Sequence, residues 1–221
     1  LHPDGTPAED NIEGHVYSIG HRNVYGLAYD PATERLFATE NNNAERDEVN
    51  LITAGGNYGW PICEGTVRYD FDRVEPTDEP CDDPDITLPI GEFYPDGTVA
   101  PTGAIILHGH LYWASWNHGE IHRMVEDRNG DWHDQIVYKP GHRINDLETD
   151  GEAVYYSDWT TIYRLEVPEP PQDLASTISP EGEVGGDGED GPETPSALPG
   201  PALIVTLVAL VFLASRYRPR R

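Results

Sequence analysis

The sequence is poor in cations. It holds 221 residues with 14 Lys and Arg against 40 Asp and Glu, a formal net charge of -26. Thirteen of the 14 are Arg, and the single Lys is Lys139. That scarcity excludes a nucleic-acid binder with a basic footprint, because neutralising phosphates needs clustered Lys and Arg. Cysteine is nearly absent too. Cys63 and Cys81 are the only two, too few for a thiolate zinc cluster. No Ser sits in a nucleophile elbow and no phosphate loop is present. Met124 is the only Met, and no secretory signal peptide precedes Leu1, so a fragment or processed part of a longer protein is expected.

What is present suffices for a core: 37% hydrophobic residues, five Trp and twelve Tyr. An acid-rich, Lys-poor chain is expected of a protein built for high salt, where dense carboxylates stay hydrated and screening weakens their repulsion. An ordinary acidic secreted protein is the alternative.

Composition divides the chain into three zones. Residues 1–167 are mixed, aromatic-rich, and carry 32 of the 40 acids. Residues 168–199 are a Pro/Gly/Glu/Asp/Ser stretch without an aromatic. Such a segment cannot bury enough apolar surface to offset its ordering entropy, so a disordered acidic linker is expected. Residues 200–221 hold an apolar run from Ala202 to Ala214, followed by Arg216, Arg218, Arg220 and Arg221. The run is shorter than the roughly 20 residues of a full span, and Pro201, Ser215 and Tyr217 extend it. A transmembrane helix with a cytoplasmic basic tail is expected, with everything upstream outside the cell. The pattern of linker, Pro199-Gly200-Pro201, apolar run and Arg cluster resembles the C-terminal sorting signals of haloarchaeal surface proteins. Their Pro-Gly-Phe motif ends here in Pro201.

The first zone reads as all-β. Short apolar runs separated by turn residues predict strands at 15–19, 26–29, 35–39, 48–53, 103–108, 111–115, 120–125, 135–139, 144–149, 153–157 and 161–167. No helical period runs over ten residues except at the C-terminus. Leu111-Tyr112-Trp113-Ala114-Ser115…Ile121-His122-Arg123-Met124 recurs as Val154-Tyr155-Tyr156-Ser157…Ile162-Tyr163-Arg164-Leu165 about 41 residues later. That is a normal blade period and favours a β-propeller over a sandwich.

Three motifs then stand in order: Gly20-His21-Arg22-Asn23, Asp47-Glu48-Val49-Asn50-Leu51-Ile52 and Asn57-Tyr58-Gly59-Trp60-Pro61. Residues 1–167 resemble the glucose/sorbosone dehydrogenase family, whose best-known members are soluble sugar dehydrogenases dependent on pyrroloquinoline quinone (PQQ). The resemblance implies a six-bladed β-propeller with PQQ in a central depression and Ca²⁺ against it. About half of such a propeller fits here, so the other blades are expected upstream or on another chain. It implies oxidation of a sugar C1 hydroxyl, with a His base taking its proton while hydride moves to the quinone. That His would lie upstream of Leu1, leaving no catalytic residue in this chain.

Carried over by position, Arg22 and Asn23 stand at the family's quinone contacts. A planar guanidinium suits a tricarboxylated quinone; a structural ion pair is the alternative for Arg22. Arg143 keeps one Arg of the family's Arg-x-Arg-Asp strand, read here as Arg143-Ile144-Asn145-Asp146. Asn117-His118 stands where the family has Lys-Arg. Asn42 and Asn43 replace the Gly-Pro pair whose carbonyls bind Ca²⁺. Asp47 and Glu48 are candidate ligands of a second Ca²⁺, or else solvated acids of a strand entry. Asp127-Arg128-Asn129-Gly130-Asp131 reads as a hairpin turn, not a calcium loop. The pattern Tyr58-Gly59-Trp60-Pro61-Ile62-Cys63-Glu64-Gly65 resembles extracellular members, which implies a Cys63–Cys81 disulfide; two free thiols are the alternative. The histidines match no zinc spacing and are read mostly as surface or turn residues.

The leading expectation is a surface-anchored PQQ-dependent aldose dehydrogenase with a sugar substrate and a surface-layer or electron-acceptor partner. A propeller that has lost the cofactor and serves as a binding or scaffold module is the alternative. A calcium-dependent carbohydrate-binding surface protein is a third reading.

Overall fold

The computed structural model describes residues 2, 4–43, 46–93 and 98–170. These form fourteen strands and, among the described residues, no helix. The expected linker beyond residue 170 and the expected membrane helix lie outside them. Among the described residues no helix is long and apolar enough to cross a membrane.

Three antiparallel sheets follow one another. The first has the order β1 (Val24–Asp30), β2 (Arg35–Glu40), β3 (Asp47–Ile52) and β7 (Gly91–Phe93). The second is β8 (Pro101–Leu107), β9 (His110–Ser115), β10 (Glu120–Glu126) and β11 (Trp132–Tyr138). The third is β12 (Asp146–Thr149), β13 (Val154–Ser157) and β14 (Ile162–Leu165). Between β3 and β7 a separate small sheet forms from β4 (Cys63–Glu64), β5 (Val67–Asp70) and β6 (Glu75–Pro80).

The middle sheet is buried on both faces, which explains the unbroken apolar run Leu111–Ala114. Successive side chains on a strand point to opposite faces. Leu111 and Trp113 join Ala28, Phe37, Val49 and Met124 in one core. Tyr112 and Ala114 join Ile121, Leu147, Val154 and Tyr156 in the other. The sequence repeat is now placed. Residues 111–115 and 121–124 pair as β9 and β10, while 154–157 and 162–165 pair as β13 and β14.

The first strand of each sheet lies beside the first strand of the next, β1 by β8 and β8 by β12. Two glycines permit this approach. A Cβ at Gly26 would stand 2.6 Å from the Thr102 carbonyl oxygen, and one at Gly103 would stand 2.4 Å from the Leu147 nitrogen. Any side chain there would push the strands apart. Face-to-face sheets with converging first strands are a propeller-like arrangement, and the described residues hold three such blades.

The strand expected at 15–19 is not one. It makes only isolated bridges, Glu13 with Val16 and Ile19 with Asn57. Its backbone instead bonds a turn: Ile19 N donates to Gly56 O, and Tyr58 N to Ile19 O, each at 2.9 Å. Residues 127–131 are the β10–β11 turn, closed by Asp127 N donating to Asp131 O at 2.8 Å.

Candidate functional site

The loop carrying Arg22 and Asn23 is held from beneath by Glu40, the last residue of β2, which is buried. Its Oε1 accepts from the backbone N–H of Arg22 and, at 3.3 Å, from that of Asn23. Its Oε2 lies 3.1 Å from His21 Nδ1, and the His21 ring stacks on Tyr58 with centroids 4.7 Å apart. The Arg22 guanidinium donates to Asn41 O at 2.8 Å and to Asn43 Oδ1 at 3.0 Å, and lies 5.6 Å from the Trp60 ring.

The next loop carries the four expected metal residues. Asp47 and Glu48 begin β3 and are buried. Asp47 Oδ1 accepts from Asn42 N at 2.9 Å, and Oδ2 from Ala100 N at 2.8 Å. Glu48 Oε1 accepts from Gly65 N at 2.6 Å and from the Asn42 amide, and Oε2 from Asn50 Nδ2 at 2.9 Å. Burial raises both carboxyls. Glu48 is pushed up to about 7 by desolvation, with the neighbouring Glu40 adding to the rise against the donors it meets. All four carboxylate oxygens therefore already face N–H donors. Among the described residues no group of three His, Cys, Asp or Glu is arranged to hold a metal ion.

Beside these loops, where β1, β8 and β12 begin, opens a cavity of about 520 Å³. Asn23, Asn41, Thr102, Asn145, Trp116 and Trp159 are among its walls. Trp116 follows β9 and Trp159 follows β13, and the rings meet edge to face with centroids 5.0 Å apart. Arg143 covers the Trp116 ring at 5.2 Å. Of the three expected quinone residues, Asn23 lines this cavity, Arg143 lies on the Trp116 indole of its wall, and the Arg22 guanidinium is turned to Asn41, Asn43 and Trp60.

Asn117 and Asn145, expected from the resemblance to stand at cation positions, are turned to main-chain oxygens. Asn117 Nδ2 donates to Thr98 O at 2.7 Å and Asn145 Nδ2 to Asp158 O at 2.9 Å. Cys63 and Cys81 form a disulfide, their Cα atoms 5.9 Å apart. One histidine departs from the surface reading. His122 is buried, stacked on Trp113 at 3.9 Å, with Nδ1 2.7 Å from Asp134. Sequence reasoning missed Glu40, Trp116 and Trp159. Glu40 acts through space on a loop 18 residues away, and the two indoles meet only because successive sheets stack.

A propeller-like all-β chain with a polar and aromatic cavity at the starts of its inner strands is the class defined so far. The sequence model of the Glucose / Sorbosone dehydrogenase family matches residues 1–158, and the chain belongs to that family. An uncharacterized protein of Synechocystis is 33% identical over 175 residues, 72% of this chain and 42% of that protein. Quinoprotein glucose dehydrogenase B of Acinetobacter calcoaceticus is 43% identical over 63 residues, 28% of this chain and 13% of that protein. The PQQ-bound aldose sugar dehydrogenase of Streptomyces coelicolor superposes with a TM-score of 0.57 at 25% identity, covering 74% of this chain and 49% of that structure. The chain therefore spans about half the length of such relatives.

Proposed function

We propose that this chain is the C-terminal half of a six-bladed, PQQ-dependent aldose dehydrogenase anchored at the cell surface. The observation that carries the reading is the cavity walled by Asn23, Asn41, Trp116 and Trp159, with Arg143 on the Trp116 ring and Arg22 bonded to the Asn41 carbonyl. Its flat walls and flanking guanidiniums fit a planar, tricarboxylated quinone. When bound, that quinone supplies the acceptor for a hydride from the sugar C1. Arg22 and Arg143 would pair with its carboxylates, Asn23 would hydrogen-bond it, and Trp116 and Trp159 would exclude water from its plane. Asp47 and Glu48 fit Ca²⁺ poorly, because both are buried with every oxygen accepting from an N–H donor and, among the described residues, no third His, Cys, Asp or Glu joins them as a ligand. An ion in this loop would draw on the main-chain carbonyls of Asn42 and Asn43. The base that takes the sugar's proton is sought outside this chain.

The disulfide supports an oxidising, extracellular setting for residues 1–167. In this reading the apolar run of residues 202–214 provides the anchor, and the acid excess suits a high-salt medium.

A second reading is a binding module that has lost the quinone. It is favoured by Asn117 and Asn145, whose amides replace two cations and are turned to main-chain partners. One experiment separates the two. Full-length protein is titrated with PQQ in the presence of Ca²⁺, following tryptophan fluorescence, and then assayed for dye reduction with aldoses. Quenching with turnover supports the dehydrogenase; neither quenching nor turnover leaves the binding module.

A further inference from the structure

We infer that the cavity wall around Trp159 and Tyr25 is the seat of an uncharged sugar ring, with Trp159 as the platform that recognises it. The inference deepens the reading above by placing the sugar, and only the sugar's turnover rests on that reading. It starts from charge. The chain carries 40 acids and 14 Lys and Arg, yet among the described residues no charged side chain and no histidine lines this cavity of about 520 Å³. Arg22 and Arg143 touch wall residues without lining the cavity themselves. A ligand resting on the wall therefore meets amides, hydroxyls and aromatic rings. Neutral donors and acceptors beside exposed rings suit a molecule with hydroxyls at its rim and C–H groups on its faces. A pyranose has both.

The polar groups are open to such a ligand. Asn41 Nδ2 donates to Pro101 O at 2.9 Å, which leaves its Oδ1 as an acceptor. Asn23 and Tyr25 are exposed, and neither spends its polar side chain on a partner among the described residues. Trp159 is exposed too, but it is firmly held. Asp158 Oδ1 accepts from Thr160 N and Thr161 N, each at 2.7 Å, and Oδ2 from the Tyr163 hydroxyl at 2.9 Å. Asp158 N donates to Thr161 O at 3.0 Å, and Asp158 O accepts from Asn145 Nδ2 at 2.9 Å. This turn presents an indole that joins none of the apolar cores. A ring fixed before the ligand arrives loses little rotamer freedom on binding. The family match ends at residue 158, so membership itself assigns Trp159 no role. Hydride transfer needs sugar and acceptor side by side, and a sugar seated in this cavity meets that need.

The test uses full-length protein without quinone, with methyl α-D-glucopyranoside and methyl β-D-galactopyranoside as probes. A methyl glycoside has no C1 hydroxyl and cannot be oxidised there, so it reports binding alone. Saturation-transfer NMR and the Trp159 indole N–H signal, assigned with Trp159→Ala, follow the titration. Saturable binding of at least one probe is expected, with movement of that signal and no weakening as salt rises, because no charge is there to be screened. Trp159→Ala should weaken binding about fivefold or more, on the scale of one aromatic contact, and Trp159→Phe should restore most of it. Wild-type affinity in Trp159→Ala, or no saturable binding of either probe, would overturn the seat. Dye reduction by wild type with PQQ, Ca²⁺ and free aldoses is measured separately. Turnover without glycoside binding removes the seat and keeps the dehydrogenase reading. Glycoside binding that Trp159→Ala weakens, without turnover in wild type, keeps the seat and removes that reading.

Discussion

The two sides of the cavity are built differently. On the β1–β3 side, buried carboxylates bind the loops: Glu40 grips the backbone at Arg22 and Asn23, while Asp47 and Glu48 grip Asn42, Gly65 and Ala100. On the β9–β13 side the wall is two indoles and an Arg, with Trp159 76% exposed. The first side holds its geometry before any ligand arrives. The second offers exposed aromatic surface. Preorganised loops and open aromatic wall are thus divided between successive blades.

Substitution breaks this contrast most visibly at Glu40. Glu40→Ala leaves two loop N–H groups and His21 without their acceptor. Removing one partner of a buried charged network costs about 3–5 kcal/mol, so a loss of at least about 3 kcal/mol is expected in denaturant unfolding of the full-length protein. Trp159→Ala should change stability by no more than about 0.5 kcal/mol, as for other exposed positions. Equal losses at the two residues would erase the distinction.

Glu48 sharpens it through pH. Its folded value of about 7 lies above the ordinary 4.5. Between those values the unfolded chain has released a proton that the folded chain keeps, so stability falls as pH rises through this window. The fall for this group is on the order of 3 kcal/mol, and it is complete above pH 7. Glu48→Gln cannot titrate and should flatten that decline, whatever its effect on absolute stability. Unfolding midpoints taken from pH 4.5 to 7.5 check this. A decline of the same depth in the variant would place its origin elsewhere.

The same contrast explains what the sequence disclosed. The Gly20-His21-Arg22-Asn23 motif was legible because it is contiguous in the sequence. The two-faced middle sheet was legible in the apolar run at Leu111–Ala114, and its repeat at Val154 foretold the blade. β4, β5 and β6 were not, because Pro, Asp and Glu across residues 75–85 hide any alternation and the hairpin is secured by a disulfide instead of a core. The Asp47 and Glu48 carboxylates look like calcium ligands by residue type. Only the structure shows them filled by N–H donors contributed by Gly65 and Ala100, far along the chain.

The open side also holds Asn117, and a cation placed there is the gentlest probe. Asn117 is exposed and spends its amide on Thr98. Asn117→Lys gives up those surface bonds, at a cost within about 0.5 kcal/mol of stability. Beside the cavity it adds a charge that a tricarboxylated quinone would meet. A charge-assisted bond contributes about 1.5–3 kcal/mol, so PQQ affinity should rise tenfold or more, read as quenching of Trp116 and Trp159. Wild-type affinity that is already tight and unmoved by the Lys would mean that Arg22 and Arg143 suffice, and the closed side would then carry quinone recognition as well as its own rigidity. A rise from no detectable binding would mean that exchange of cation for amide at this one position had emptied the site, and would favour the binding module for the natural protein.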